Sequence, residues 1–131
     1  MPTATAVAEH LYRALSDRDA EALSAALSAD FHATVSAGMP HGVGGEHHGR
    51  VAMIAEVWGH IDATYDLAVV PTEFLEIGTG DKVVVVGTYR GTARDGTTRV
   101  DAAFAHIIAV RNGRVTALQQ ITDTVRWSIP A

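Results

Sequence analysis

Four polar side chains stand at single positions inside alternating apolar runs, and these are the residues of the 131-residue chain best placed to do chemistry. Tyr89 interrupts Val83, Val85, Gly87 and Ala93. His106 interrupts Val100, Ala102, Phe104, Ile108 and Val110, while Gln119 and Asp123 interrupt Val115, Ala117, Ile121, Val125 and Trp127. An ionised carboxylate in apolar surroundings costs several kcal/mol unless it is paired, so Asp123 needs a reason to be there. A desolvated carboxyl keeps its proton closer to neutral pH and can shuttle it, which makes Asp123 the expected acid/base. His106, hydrogen-bonded by Gln119, would donate to a developing oxyanion, and Tyr89 would hold a substrate carbonyl or hydroxyl. These parts suit enolate chemistry: ring closure, proton shift or hydration of a compact apolar molecule.

A second cluster lies in residues 37–49, where Gly38, Gly42, Gly44, Gly45 and Gly49 alternate with His41, His47 and His48. So much glycine predicts a loop without regular structure. It reads as a lid whose histidines reach a ligand, as a metal site, or as a solvated loop. Metal is the weakest of the three, since no recognised ligand spacing is present and adjacent histidines seldom point the same way. No metal is therefore expected. Gly-Lys-Ser/Thr and Gly-x-Ser-x-Gly are both missing, so neither a phosphate loop nor a nucleophile elbow is encoded.

The elements that must position these groups follow from periodicity. Residues 4–16 read as a helix through Val7, Leu11, Ala14 and Leu15. Asp19 caps a short second helix with Leu23, Ala26 and Leu27 on its stripe. A brief strand over 31–36 precedes the loop, and 51–61 returns to helical spacing through Val51, Ile54, Val57, Trp58 and Ile61. From Tyr65 the period is two: strands over 65–78 (with Pro71 marking an edge or bulge), 82–94, 97–110 and 114–127. Asp95-Gly96 and Asn112-Gly113 supply the hairpin turns. The predicted fold is α+β, three helices packed on a curved antiparallel sheet to form a cone with an internal cavity, in one domain over 1–131. If both turns are two-residue loops, partners sum to 191 in one hairpin and 225 in the next, placing Ala102 beside both Tyr89 and Asp123, and His106 opposite Gln119. A single bulge would change those sums. Ala102, Phe104, Trp58, Trp127, Met39 and His41 complete the expected substrate-binding wall.

Fifteen acidic against ten basic residues give a net charge of -5, which argues against nucleic acid as a partner. Without cysteine, disulfides, thiolate metal sites and cysteine nucleophiles are excluded. No apolar run is long enough to span a bilayer, and the first residues lack a signal-peptide pattern, so a cytoplasmic protein is expected. The sheet's other face, with Leu118, Thr116, Thr122, Ala103, Ala105 and Ile107, is too apolar to be left to water, and a homodimer through it is expected.

This order of helices and strands resembles the nuclear transport factor 2-like superfamily, which includes ketosteroid isomerase, limonene epoxide hydrolase and the SnoaL-like polyketide cyclases. The run Arg111-Asn112-Gly113-Arg114-Val115-Thr116 followed by Gln119-Gln120-Ile121-Thr122-Asp123 is similar to the cyclase hairpin that ends on the catalytic aspartate. The resemblance implies that Asp123 is that aspartate, with Gln119 where a tryptophan usually stands. It also implies a small hydrophobic substrate and chemistry without a cofactor. Ketosteroid isomerase matches less well: Gly38-Met39-Pro40 lacks its base, and Leu11 takes the place of its first-helix tyrosine with Tyr12 one position on. Arg99-Val100-Asp101 resembles part of the epoxide hydrolase constellation, but the period points Asp101 to the face opposite Asp123. Epoxide hydration would need Asp123 paired to an arginine such as Arg90, turned inward by a bulge near Gly91. A non-catalytic cone holding a hydrophobic ligand is the alternative of a different class.

Overall fold

The computed structural model describes residues 2–131. Helix α1 (Ala4–Ser16) starts where the Thr3 hydroxyl accepts the Ala6 N–H at 3.1 Å, and it buries Val7, Leu11, Tyr12 and Ala14. The chain reverses at Arg18, whose φ is 52°. Asp19 then caps α2 (Ala20–Ala26) through the Ala22 N–H. Leu27, expected on the α2 stripe, instead opens strand β1 (Leu27–Val35), four residues ahead of the predicted start. Part of the glycine-rich segment is regular after all: a 3-10 turn at Pro40–Gly42 and strand β2 (Gly45–His48), antiparallel to β1. Positive φ angles at Gly42, Gly45 and Gly49 bend the chain around this strand rather than preventing it.

The third helix, α3, spans 50–64 and is α-helical only at its ends, Arg50–Ala52 and Gly59–Thr64. Met53–Trp58 is a π-helical segment, closed where the Gly59 N–H reaches the Ile54 carbonyl. The extra residue in that turn shifts the helix phase. Met53, Val57 and Ile61 are buried against the sheet, with Ile54 and Trp58 packed beside them.

Strands β3 (Tyr65–Ile77), β4 (Lys82–Ala93), β5 (Thr98–Arg111) and β6 (Arg114–Thr122) form the expected antiparallel meander. The sheet order is β2-β1-β6-β5-β4-β3, with a short β7 (Ile129–Pro130) on β5. The sheet is mixed, not wholly antiparallel, because β1 runs parallel to β6. The connection between them holds α3 and the rest of the meander, ample length for a crossover. Pro71 sits on the edge strand beside a register shift, as its missing N–H requires.

The β4–β5 register keeps the predicted sum throughout, with Tyr89 opposite Ala102. The β5–β6 register does not. Arg111 faces Arg114 and Val110 faces Val115, but Ala109 faces Ala117, leaving Thr116 as an extra residue whose hydroxyl reaches the Ala109 carbonyl at 3.3 Å. This bulge turns the rest of β6 over. Leu118 becomes buried and Gln120 faces His106, while Gln119 and Ile121 point outward. The predicted strand over 114–127 also ends early, at Thr122, and a 3-10 turn (Thr124–Trp127) folds Trp127 back into the core at 1% exposure. Among the described residues no helix is long and apolar enough to cross a membrane.

Candidate functional site

Between α1, α3 and the concave face of the sheet lies an inner chamber of about 70 Å³. Its wall is apolar apart from three side chains on neighbouring strands: Tyr89 on β4, His106 on β5 and Gln120 on β6. Met39, Trp58 and Trp127 line it as expected. Phe104 lies one layer beneath, its ring stacked on His106 with centroids 4.1 Å apart. That ring occupies space that only Gly87 leaves open, since a Cβ there would sit 2.6 Å from it and 2.3 Å from the Val70 carbonyl oxygen. Ala102 is buried beside Tyr89 but forms none of the chamber wall.

Three expected site residues stand elsewhere. Gln119 and Asp123 follow the bulge and are exposed, so neither enters the chamber. Asp123 sits past the end of β6, its backbone N–H donating to the Ala103 carbonyl, at the start of the 3-10 turn. His41 donates to or accepts from the Tyr65 hydroxyl at 3.0 Å, outside the chamber wall. His47 reaches the Val43 carbonyl at 2.7 Å and His48 stacks on His32, so the histidines of the loop serve separate partners. Arg90, the arginine that epoxide hydration would pair with Asp123, instead forms a surface pair with Asp101 at 3.9 Å, with Arg126 on the other Asp101 oxygen at 3.4 Å.

What the fold brings together is a buried chain of hydrogen bonds. Tyr12 Oη lies 2.7 Å from His106 Nδ1, and Tyr89 Oη lies 2.5 Å from His106 Nε2. Gln120 Nε2 donates to Tyr89 Oη at 3.1 Å, while its Oε1 accepts the Ser36 N–H at 3.2 Å, which fixes the amide orientation. The sequence reading missed Gln120 because the bulge is invisible to a period-two count. It missed Tyr12 because α1 is laid across the sheet by tertiary packing.

Counting hydrogens assigns their roles. Burial drives His106 down to about 3, so the imidazole is neutral and carries one N–H. Burial also holds both phenols above their usual range, reinforced for Tyr12 by the nearby Tyr89 and opposed for Tyr89 by the Gln120 hydrogen bond. Two phenols and one imidazole therefore contribute three hydrogens to two links, and one O–H is left over. Among the described residues Tyr12 Oη has no second partner, whereas Tyr89 faces the chamber. A buried hydroxyl hydrogen without an acceptor costs about 1–3 kcal/mol, so the surplus falls on Tyr89. Tyr12 donates to Nδ1, the Nε2–H donates to Tyr89, and Tyr89 donates into the chamber. With both lone pairs of Tyr89 engaged by His106 and Gln120, its hydroxyl is left to donate into the chamber.

The fold and this polar patch inside an apolar cone define a protein of the nuclear transport factor 2-like class. Residues 8–118 match the SnoaL-like domain, and the chain belongs to that family. A nuclear transport factor 2-like protein of unknown function from Burkholderia pseudomallei K96243 is 32% identical over 95% of this chain and 94% of its own, with a TM-score of 0.83. A second, from Burkholderia thailandensis E264, is 24% identical over 96% and 95%, with a TM-score of 0.84, a likeness of fold alone. TerC, co-crystallised with polyporic acid, is 31% identical over 91% of this chain and 90% of its own, with a TM-score of 0.78. Comparison with curated proteins returns no match.

Proposed function

We propose that the protein takes a small apolar carbonyl compound into the inner chamber and polarises its oxygen through the Tyr89 hydroxyl, assisting a cyclase- or isomerase-type reaction without a cofactor. The observation that carries this is the surplus hydrogen of the Tyr12–His106–Tyr89 chain. A preorganised donor in a water-poor site stabilises negative charge on a substrate oxygen far better than water does. His106, held neutral between the tyrosines, is a positioning residue: its Nε2–H occupies a lone pair of Tyr89 and so aims the phenol hydrogen at the ligand. The 31% identical TerC was co-crystallised with polyporic acid, which supports a small organic molecule as the ligand of this chain.

A second reading, a binding protein without turnover, is favoured by one fact: among the described residues no carboxylate lines the inner chamber. Deuterium exchange at the methyl group of acetophenone, followed by proton NMR in D2O, separates the two. Catalysis predicts exchange at least tenfold above buffer, lost in Tyr89→Phe and changed less than twofold in Asp123→Asn. Binding that depends on Tyr89 without any exchange establishes the carrier. Binding that survives Tyr89→Phe refutes the carbonyl reading.

The outer face of the sheet exposes Val70, Leu75, Val86 and Ile121, each between 38% and 47%. Leu118, expected there, is inside, and Ile121 has taken its place. We propose this face as the homodimer surface.

A further inference from the structure

An outer chamber of about 250 Å³ lies next to the inner one, framed by α1, α2, α3 and β3. The two share five wall residues, Leu15, Trp58, Ile61, Leu67 and Val69, all apolar. Small-molecule sites usually have about 300–1,000 Å³, which the inner chamber alone falls far short of and the two chambers together reach. Trp58 forms part of the partition on the π-helical segment of α3, half-buried. Among the described residues its indole N–H has no hydrogen-bond partner, so only packing holds the ring in place. The charged side chains of the outer chamber, Arg18 and Asp62, stand half-exposed at its rim and pair with each other at 2.6 Å, with Asp66 on the other side of Arg18. The rim thus offers no free charge to a ligand.

We propose that the functional cavity continues past Trp58 into the outer chamber, and that its ligand is an uncharged carbonyl compound with a flat apolar body the size of two fused rings. This rests on the carbonyl reading above. The oxygen meets Tyr89 in the inner chamber, and the body lies between Leu67 and Val69 of β3 on one side and Trp58 and Ile54 of α3 on the other. Trp58 acts as a swinging partition that fills the gap when no ligand is bound. The π-helical segment determines specificity because it presents Ile54 and Trp58 to the outer chamber while Met53 and Val57 face the inner one.

The test is isothermal titration of acetophenone and 2-acetylnaphthalene into the full chain and two variants. The wild type should bind the two-ring ketone at least tenfold more tightly. Ala20→Trp places an indole in the outer chamber from an exposed position on its rim. It should cut that preference below threefold and leave acetophenone unchanged. Tyr89→Phe should weaken both ketones alike. Equal wild-type affinities, or a preference that survives Ala20→Trp, overturn the two-chamber ligand while leaving the carbonyl site standing. Affinities indifferent to Tyr89→Phe overturn the carbonyl site instead, and failure to bind either ketone overturns both.

Discussion

Neutral His106 in the core ties stability to pH with a sign and size that can be worked out. In the folded protein the imidazole gains its proton only near pH 3, because burial penalises the cation and its hydrogen-bond partners among the described residues are the two phenols of Tyr12 and Tyr89. In the unfolded chain it titrates near the ordinary histidine value of about 6.5. Between those limits the unfolded state holds one more proton, so stability is lost as the pH falls, at about 1.4 kcal/mol per unit. From pH 7.5 to 4.5 the loss from this residue alone comes to about 2.5 kcal/mol, a large part of the stability of a domain this size. His106→Gln keeps an acceptor and a donor between the two tyrosines without a titratable group, and the remaining six histidines are common to both proteins. Urea unfolding of wild type and variant at pH 4.5, 5.5, 6.5 and 7.5 isolates the term as the change in their stability difference. The wild type should lose ground steadily as the pH drops. Curves that stay parallel to within about 0.5 kcal/mol would refute the neutral, buried imidazole and with it the hydrogen count at Tyr89.

Three further substitutions probe other parts of the molecule. Tyr12→Phe strips His106 Nδ1 of its only donor in a packed interior, and should cost about 1–3 kcal/mol, or roughly 4–12 °C in Tm. Tyr89→Phe takes the acceptor from two donors, the His106 Nε2–H and the Gln120 amide, and should cost at least as much as Tyr12→Phe; a Tm within about 2 °C of wild type would refute the hydrogen-bonded chain. On the outer face, Ile121→Lys should convert a dimer seen by sedimentation velocity at micromolar concentration into a monomer, without changing acetophenone binding. A wild type that sediments as a monomer removes the proposed interface.

Most of the architecture was legible because it rests on local rules. The cap at Asp19, the helical spacing of α1, the Asn112-Gly113 turn with φ values of 54° and 75°, and the alternation along β4 and β5 all act within a few residues. The shared inward phase of Tyr89 and His106 follows from the same local rules. What the structure corrects is the phase of β6 after Thr116 and the end of that strand, while Trp127 still turns inward. A period-two pattern carries no mark of a bulge, so the odd phase of β6, with Ala117, Gln119 and Ile121, reads as the inner one, and the alternative puts Leu118, Gln120 and Thr122 there. The fold chose the second.

That choice has a physical reason beyond the burial of Leu118. In the predicted phase a carboxylate and an amide would enter an apolar chamber with no cation to meet them, since Arg90 and Arg126 lie on the outside with Asp101. In the observed phase one neutral amide enters, and each of its ends has a partner: Ser36 takes the oxygen and Tyr89 the nitrogen. Ser36 in turn ties β1 to β6, its hydroxyl donating to the Gln120 carbonyl at 3.0 Å and accepting the Thr122 N–H at 3.1 Å. The parallel β1–β6 pairing, the bulge at Thr116 and the polarity of the chamber are thus a single solution to the cost of buried charge. It leaves a site whose chemistry is that of neutral hydrogen-bond donors rather than of a buried carboxylate.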